Sequence, residues 1–437
     1  MSSQAAPDVV VVGGGAIGVT VALELARRGA AVHLLEAGPR TGNGCSFANA
    51  GLLVPSHVEP LASPGNVRTG LRYMHNRASP FYLAPRPSVL PWLMRFLLAS
   101  TSAKFEEGRR HLSDLAMSSL QMHADYAAAG LHTGFRRSGM LDAFKDPRAF
   151  QRARAHALSS PSSLPVEVLD SDGVALLEPA LGEVDGGLYF QQEGFCDSRL
   201  YVSALARRAT EEGAVIRTGV AVEGLKTTGD RIIALDTSAG LLPTEQVVVA
   251  AGMWSPELVR GTRIALPMQA GTGYVIDLEP GPGDPKIPVS YSDRKVVATP
   301  YRDRLRLCGT LELSGLNPPL DRRRIHSVID AAAQLLPRLG TRRYSMVWAG
   351  QRPCTPDGLP VIGRARQYAN LILATGHGQS GLILAPGTAR LVANEVTVPG
   401  GDVEAEAFSP NRFSRLLPRD WRASWNWLDR GGADPHR

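Results

Sequence analysis

Cysteine is scarce in this chain. Its four cysteines, Cys45, Cys196, Cys308 and Cys354, lie at least forty positions apart and form no C-x-x-C pair. That spacing argues against a metal cage or a disulfide framework and fits a reducing, cytoplasmic compartment. Lysine is nearly as rare: Lys104, Lys145, Lys226, Lys286 and Lys295 are the only ones, so arginine carries the net charge of +6. The arginines fall in short clusters such as Arg322 to Arg324, read as solvated helix faces. They lack the concentrated basic surface with stacking aromatics that nucleic-acid binding needs. No apolar run approaches the ~20 residues required to cross a bilayer. The opening MSSQAAPD has neither the basic nor the apolar region of a signal peptide. What is left is an ordinary globular composition, 44% hydrophobic and 20% charged, in a chain long enough for two domains.

The densest information lies in residues 8–38. Val9 to Val12 read as a central parallel strand buried on both faces. Gly13, Gly15 and Gly18 follow at G-x-G-x-x-G spacing, then a helix from Ala16 to Arg28, a stop at Gly29, a second strand from Val32 to Leu35, and Glu36. In this order the first glycine allows a tight turn, the second lets backbone approach a pyrophosphate, and the third lets helix pack on strand. The phosphates sit at the helix N-terminus, where unpaired N–H groups and the dipole favour negative charge. Glu36 suits a ribose hydroxyl and would repel a 2′-phosphate, which disfavours NADP and leaves FAD and NAD.

Further along, helices are expected over Trp92–Ala99, packed on the protein's own core with a membrane-surface contact as the alternative, and over Ser113–Ala129, followed by a strand in GMLDAF. Asp197 caps a helix to Glu212. Strands are expected at Ala214–Arg217, Val220–Leu225, Ile232–Asp236 and Gln246–Ala250, the last running into a small-residue turn at Ala251 and Gly252. Tyr274–Leu278 and Arg304–Leu313 give an antiparallel part spanning 266–350. Leu371–Ala374, the loop TGHGQSG and a helix from Leu382 close the pattern. Nucleotide-type signals at both ends and in the middle imply α/β architecture with interleaved domains. Residues 1–60, 195–265 and 351–410 make a Rossmann-like cofactor domain, 61–194 and 266–350 an antiparallel-sheet substrate domain, and 411–437 a tail. Within the tail, Trp421, Trp425 and Leu428 fall on one face of a short helix over 420–432, suited to packing or to a subunit or membrane contact.

Three segments resemble the D-amino-acid oxidase-like family of FAD-dependent amine and amino-acid oxidoreductases. They are VVVVGGGAIG with LLEAG, VVVAAGMWSPEL, and RPCTPDGLPVIG followed by TGHGQSGLILAPGTARLVANEV. The stretch SFANAG, residues 46–51, is similar to the bacterial D-amino-acid dehydrogenase branch. The resemblance implies FAD. It assigns Gly13, Gly15, Ala16, Ile17 and Gly18 to the pyrophosphate, Glu36 and Ala37 to the adenosine ribose, and the Val222 backbone to adenine. Ser46, Asn49, Ala50, Gly51 and Leu52 would run beside the ring, with Ala251, Gly252 and Trp254 in the middle turn. Gly376, His377, Gly378, Gln379, Ser380, Gly381 and Leu382 would meet its pyrimidine edge.

Arg352 matches the family's substrate-carboxylate arginine, a role that suits a planar guanidinium's bidentate grip. Tyr274 stands where relatives place a phenol on that carboxylate, while His57 and His377 lie in segments expected to line the active site. Gln379 replaces a second arginine of some glycine oxidases, and Ala48 stands where a histidine would link flavin covalently, so bound FAD is expected without a covalent bond. No metal is implied. The expected reaction is hydride transfer from Cα of a D-amino acid, cyclic ones such as D-proline included, to flavin N5. A sarcosine-like amine oxidase and a flavin subunit of a larger dehydrogenase are the alternatives. The acceptor would be a quinone, an electron-transfer partner or O2, with a site in the cytoplasm or at the inner membrane's edge.

Overall fold

The computed structural model describes residues 7–73, 79, 81–84, 86–159, 165–316, 318–340, 342–398 and 403–416. The helix expected over 420–432 lies outside them.

Val9–Val12 is fully buried and pairs in parallel with Val32–Glu36 on one side and Gln246–Val249 on the other. Those pairings seed a six-stranded sheet in which Val215–Thr218 adds beyond Val32–Glu36, and Leu371–Thr375 beyond Gln246–Val249. Val361–Arg364 closes the far edge as its one antiparallel strand. Apolar runs buried on both faces need cover on both. On one face the glycine-turn helix Ala16–Arg27 packs with Ser198–Glu211 and Gly381–Thr397. On the other, a three-stranded meander, Val222–Thr228, Arg231–Thr237 and Gly240–Pro243, contributes Ile232 and Leu235. Asp197 caps its helix as expected, accepting from the N–H groups of Arg199 and Leu200.

The helix expected from Ser113 starts earlier, spanning Ser102–Ala128, with the Thr101 hydroxyl accepting the Lys104 N–H at its start. Its first turns are charged and largely exposed, so they carry no apolar period to read. Its later residues Leu112, Leu115, Ala116 and Leu120 join the core around the glycine-turn helix.

The second sheet has nine strands. Eight run in the order Tyr344–Cys354, Gln269–Leu278, Leu305–Leu313, Val296–Pro300, Val289–Tyr291, Met140–Phe144, Gly186–Phe190, Glu167–Asp170, and Phe81–Leu83 pairs off Leu305–Leu313. Helix Arg322–Leu335 covers one face through Val328, Ala331, Ala332 and Leu335. The solvated reading of Arg322 to Arg324 fails at Arg324, which is 1% exposed. It lies 3.3 Å from Glu312 and over the Tyr274 ring. The other face looks toward the loop that follows the first βαβ unit, where Ala48, Val275 and Cys308 cluster with Phe47 and Trp348. No described helix is long and apolar enough to cross a membrane.

Candidate functional site

The glycines of the first turn fall into two kinds. A Cβ on Gly13, which has φ +108°, would sit 2.6 Å from the Ala250 carbonyl oxygen, and one on Gly18 would sit 1.8 Å from that of Gly13. These two serve the protein's own packing. Gly15 has an ordinary φ of −74°, and a Cβ there would meet only the Ser46 hydroxyl, at 3.3 Å. Neither backbone nor neighbours require glycine at 15, so the open space is a place for a ligand. Ser46 accepts the Ala16 N–H at 2.9 Å, marking the helix N-terminus, and Ile17 packs partly buried on the core. The Glu36 carboxylate accepts Gly14 N–H and Gly38 N–H, each at 2.7 Å, and is thereby aimed from the end of its strand; Ala37 beside it is exposed. Gly15→Val fills the cradle, so the purified variant should be colourless; a yellow variant with full FAD occupancy would remove this assignment.

The SFANAG loop is clamped from several sides. Asn49 Oδ1 accepts Gly51 N–H at 2.8 Å, and the Ala50 carbonyl accepts Thr299 Oγ1 at 2.9 Å and Tyr301 Oη at 3.0 Å. Gly51 has φ +80°, and a Cβ there would lie 2.1 Å from the Tyr301 hydroxyl. Leu52 pairs with Phe195. Arg306, with no exposed surface, donates to the Asn49 carbonyl at 2.7 Å and binds Asp277 through two bonds of 2.7 and 2.8 Å. Arg304 bridges Asp277 and Asp197, while Arg199 reaches the Phe47 carbonyl at 3.1 Å, stacks on the Phe47 ring and lies 3.4 Å from Asp277. Three arginines on two aspartates thus fix the loop. Sequence reasoning missed this network. Its signal was a charge at each of two positions where strand alternation points inward, Asp277 in YVIDL and Arg306 in LRLCG.

Cross-strand partners share a sheet face. Arg352 opposes Gly271, Trp348 opposes Val275, Val275 opposes Cys308, and Asp277 opposes Arg306, so these residues look toward the loop. The Arg352 guanidinium extends over Gly273, where a Cβ would come within 2.3 Å of Nη2. Its one hydrogen bond is from Nη1 to the Thr310 carbonyl, 2.9 Å, turned out of the ladder where Thr310 takes φ +66°. No carboxylate among the described residues pairs with it. Arg352 also faces Cys45, Cys308 and Cys354, but burial dominates these thiols, pushing Cys308 up to about 11 and Cys354 up to about 12.

Of two further expected participants, one lies on the far sheet face and the other is buried beside Cys354. Tyr274 is on the opposite face because alternation turns it away from Gly273. It is 1% exposed, and its hydroxyl donates to Glu312 Oε2 at 3.2 Å and accepts the Asp321 N–H at 3.2 Å. It therefore does not reach a carboxylate held by Arg352. His377 is buried with Nε2 3.0 Å from Thr388 Oγ1, and burial lowers its pKa to about 3. A neutral ring tied to helix Gly381–Thr397 anchors the loop. Around it, Gly376 and Gly378 have positive φ, Gln379 is exposed, and Ser380 precedes the N-terminus of that helix, where the first N–H groups, those of Gly381 and Leu382 among them, have no intrahelical acceptor. Ala251 and Gly252 form the turn after Gln246–Val249, with Trp254 half-exposed beyond it, and Val222 opens the meander strand.

His57 lies along the same sheet face, with Nε2 2.9 Å from Asp142 Oδ2, Nδ1 2.7 Å from Ser56 Oγ, and the buried Glu193 4.0 Å away. Burial pulls its pKa down, but the Asp142 charge and hydrogen bond, with Glu193 and Glu59, bring it up to about 9. So held, His57 is an imidazolium at neutral pH. The folded state keeps a proton that an unfolded histidine releases near 6.5. This pair's stabilisation is therefore full below pH 6.5 and is lost as pH rises through about 9. Melting temperature should fall across that window in the wild type and fall less in Asp142→Asn; parallel curves would discard the pair.

Residues 8–395 match the FAD dependent oxidoreductase (DAO) family. The chain belongs to this family. The D-amino acid dehydrogenase of Methylobacterium radiotolerans is 33% identical over 420 residues, 93% of this chain and 99% of that protein. That of Sinorhizobium medicae is 34% identical with the same coverage. Glycine oxidase from Geobacillus kaustophilus superposes with a TM-score of 0.75 at 24% identity, covering 93% of this chain and 98% of its own. L-proline dehydrogenase from P. horikoshii gives 0.74 at 20%, covering 94% and 98%. As a DAO-family member the chain is an FAD-dependent oxidoreductase. The open cradle at Gly15, the aimed Glu36 and the free helix ends fit that cofactor.

Proposed function

We propose that this protein is a D-amino-acid dehydrogenase that binds FAD without a covalent link. The carrying observation is Arg352: a half-buried cation with one carbonyl partner and no paired carboxylate, above a floor cleared of side chains at Gly271 and Gly273. A substrate α-carboxylate satisfies it bidentately and fixes the direction of the Cα–H bond. FAD, when bound, accepts the hydride that leaves Cα. The substrate amine enters neutral, and loss of hydride and of one N–H proton gives an imino acid, which water converts to a 2-oxo acid and ammonia; a cyclic amino acid such as D-proline stops at the imine. Backbone N–H groups at the start of helix Gly381–Thr397 would supply donors to the cofactor's electron-rich edge. The relatives' names agree with this substrate class. With Ala48 at the histidine position, acid precipitation should release the flavin into solution as FAD. Anaerobic mixing with paired D- and L-amino acids should bleach flavin absorbance with the D-enantiomers. Bleaching by L-enantiomers alone, or equally by carboxylate-free amines, would overturn the reading.

A further inference from the structure

Helix Leu90–Ala99 has two unlike faces. Trp92 and Phe96 are buried and stacked with ring centroids 5.2 Å apart, in a cluster with Ala62, Leu313 and Cys354. Leu90, Met94, Leu97 and Leu98 occupy the opposite arc at i, i+4, i+7 and i+8 and are 49 to 67% exposed. Leu71, at the end of the neighbouring helix Pro64–Tyr73, is 68% exposed. Isolated surface leucines are common, but three leucines and a methionine on one face over about two turns form a contiguous apolar ridge. Its own chain does not cover it among the described residues.

The charges around the ridge identify its occupant. Between Glu59 and Glu106 the sequence has no acidic residue and six basic ones, Arg68, Arg72, Arg77, Arg86, Arg95 and Lys104. Arg68, Arg72, Arg86 and Lys104 are exposed, Arg95 flanks the arc, and the Lys104 ammonium is held 2.9 Å from the Leu98 carbonyl at the ridge's end. Apolar side chains on a segment whose charges from 60 to 105 are all basic match a surface that is anionic at the level of its headgroups and apolar beneath. A second copy of this chain would set like charges against one another.

We propose that this ridge docks the protein on an anionic lipid surface, with Leu90, Met94, Leu97 and Leu98 inserted below the headgroups and Arg95 and Lys104 at their level. The buried side of the same helix is tied to the site: Trp92 Nε1 donates to the Cys354 carbonyl at 3.1 Å, two residues past Arg352. Docking therefore sets the substrate sheet's edge against the membrane.

The full-length holoprotein should co-sediment with vesicles containing phosphatidylglycerol and bind far less to pure phosphatidylcholine. Leu97→Glu with Leu98→Glu should weaken that binding by about tenfold or more. Flavin content and turnover with a soluble dye should stay unchanged, since neither residue touches the site. Arg86→Glu with Lys104→Glu, which leaves the helix packing alone, should weaken binding about as much and flatten its salt dependence. The proposal falls if the wild type ignores anionic vesicles. It also falls if binding survives both double variants and vanishes on removal of residues 420–437. A lipid-free dimer abolished by the leucine variant would assign the ridge to a second copy instead.

Discussion

Arg352→Ala should lose between about 30-fold and several thousand-fold of amino-acid turnover at low substrate, the range for removing one partner of a buried, hydrogen-bonded charge pair, roughly 2 to 5 kcal/mol. FAD content should hardly change, because the guanidinium lies over Gly273 on the nine-stranded sheet, which does not include the Gly13–Gly18 turn. Arg352→Lys should recover only part of the activity, since an ammonium cannot reproduce the fork. The decisive measurement compares an amino acid with its carboxylate-free amine in both proteins. Wild type should prefer the acid strongly and the alanine variant should lose most of that preference. Retained discrimination would make Arg352 structural, held only by the Thr310 carbonyl.

Asp277→Ala should be the most damaging change to stability. It leaves Arg306 and Arg304 buried without their shared carboxylate, and breaking a buried pair costs about 3 to 5 kcal/mol. A well-packed apolar replacement behaves differently. Asp277→Leu with Arg306→Met should recover most of the stability, because both desolvation penalties disappear together. It should not recover function, since the Asn49 carbonyl loses its donor and the SFANAG loop loses a fixed position. Denaturant midpoints and flavin dissociation constants measured on all three proteins separate the two effects. A double variant with wild-type flavin affinity would show that Thr299, Tyr301 and Arg199 hold the loop unaided.

Local signals carried the fold a long way. The first βαβ unit, the Asp197 cap and the strand at Met140–Phe144 are legible because apolar period, turn glycines and caps are properties of neighbouring residues. The candidate site was legible where it is made of backbone, as at Gly13, Gly15 and Gly18. It was least legible where side chains from distant strands meet. Tyr274 follows Gly273 in sequence, yet strand alternation puts its phenol on the far face with Glu312, and only the register reveals which face carries Arg352. Arg324 looked solvated because its neighbours Arg322 and Arg323 are, while the fold buries it. Asp142 and Glu193, which keep His57 charged, come from segments 85 and 136 or more residues away, beyond any local pattern.

The six-stranded sheet also sets a timetable for synthesis. Val9–Val12 leaves the ribosome early, but its neighbour Gln246–Val249 is translated more than 200 residues later and Leu371–Thr375 later still. At about 5 to 20 residues per second, the first strand waits on the order of 10 to 50 s with one edge unpaired. Four consecutive valines with an open edge are a hazard for intermolecular pairing. The nascent chain thus spends its most aggregation-prone interval before its cofactor site can exist, so cellular yield should respond to chaperone supply and translation speed more than to the stability of the finished enzyme.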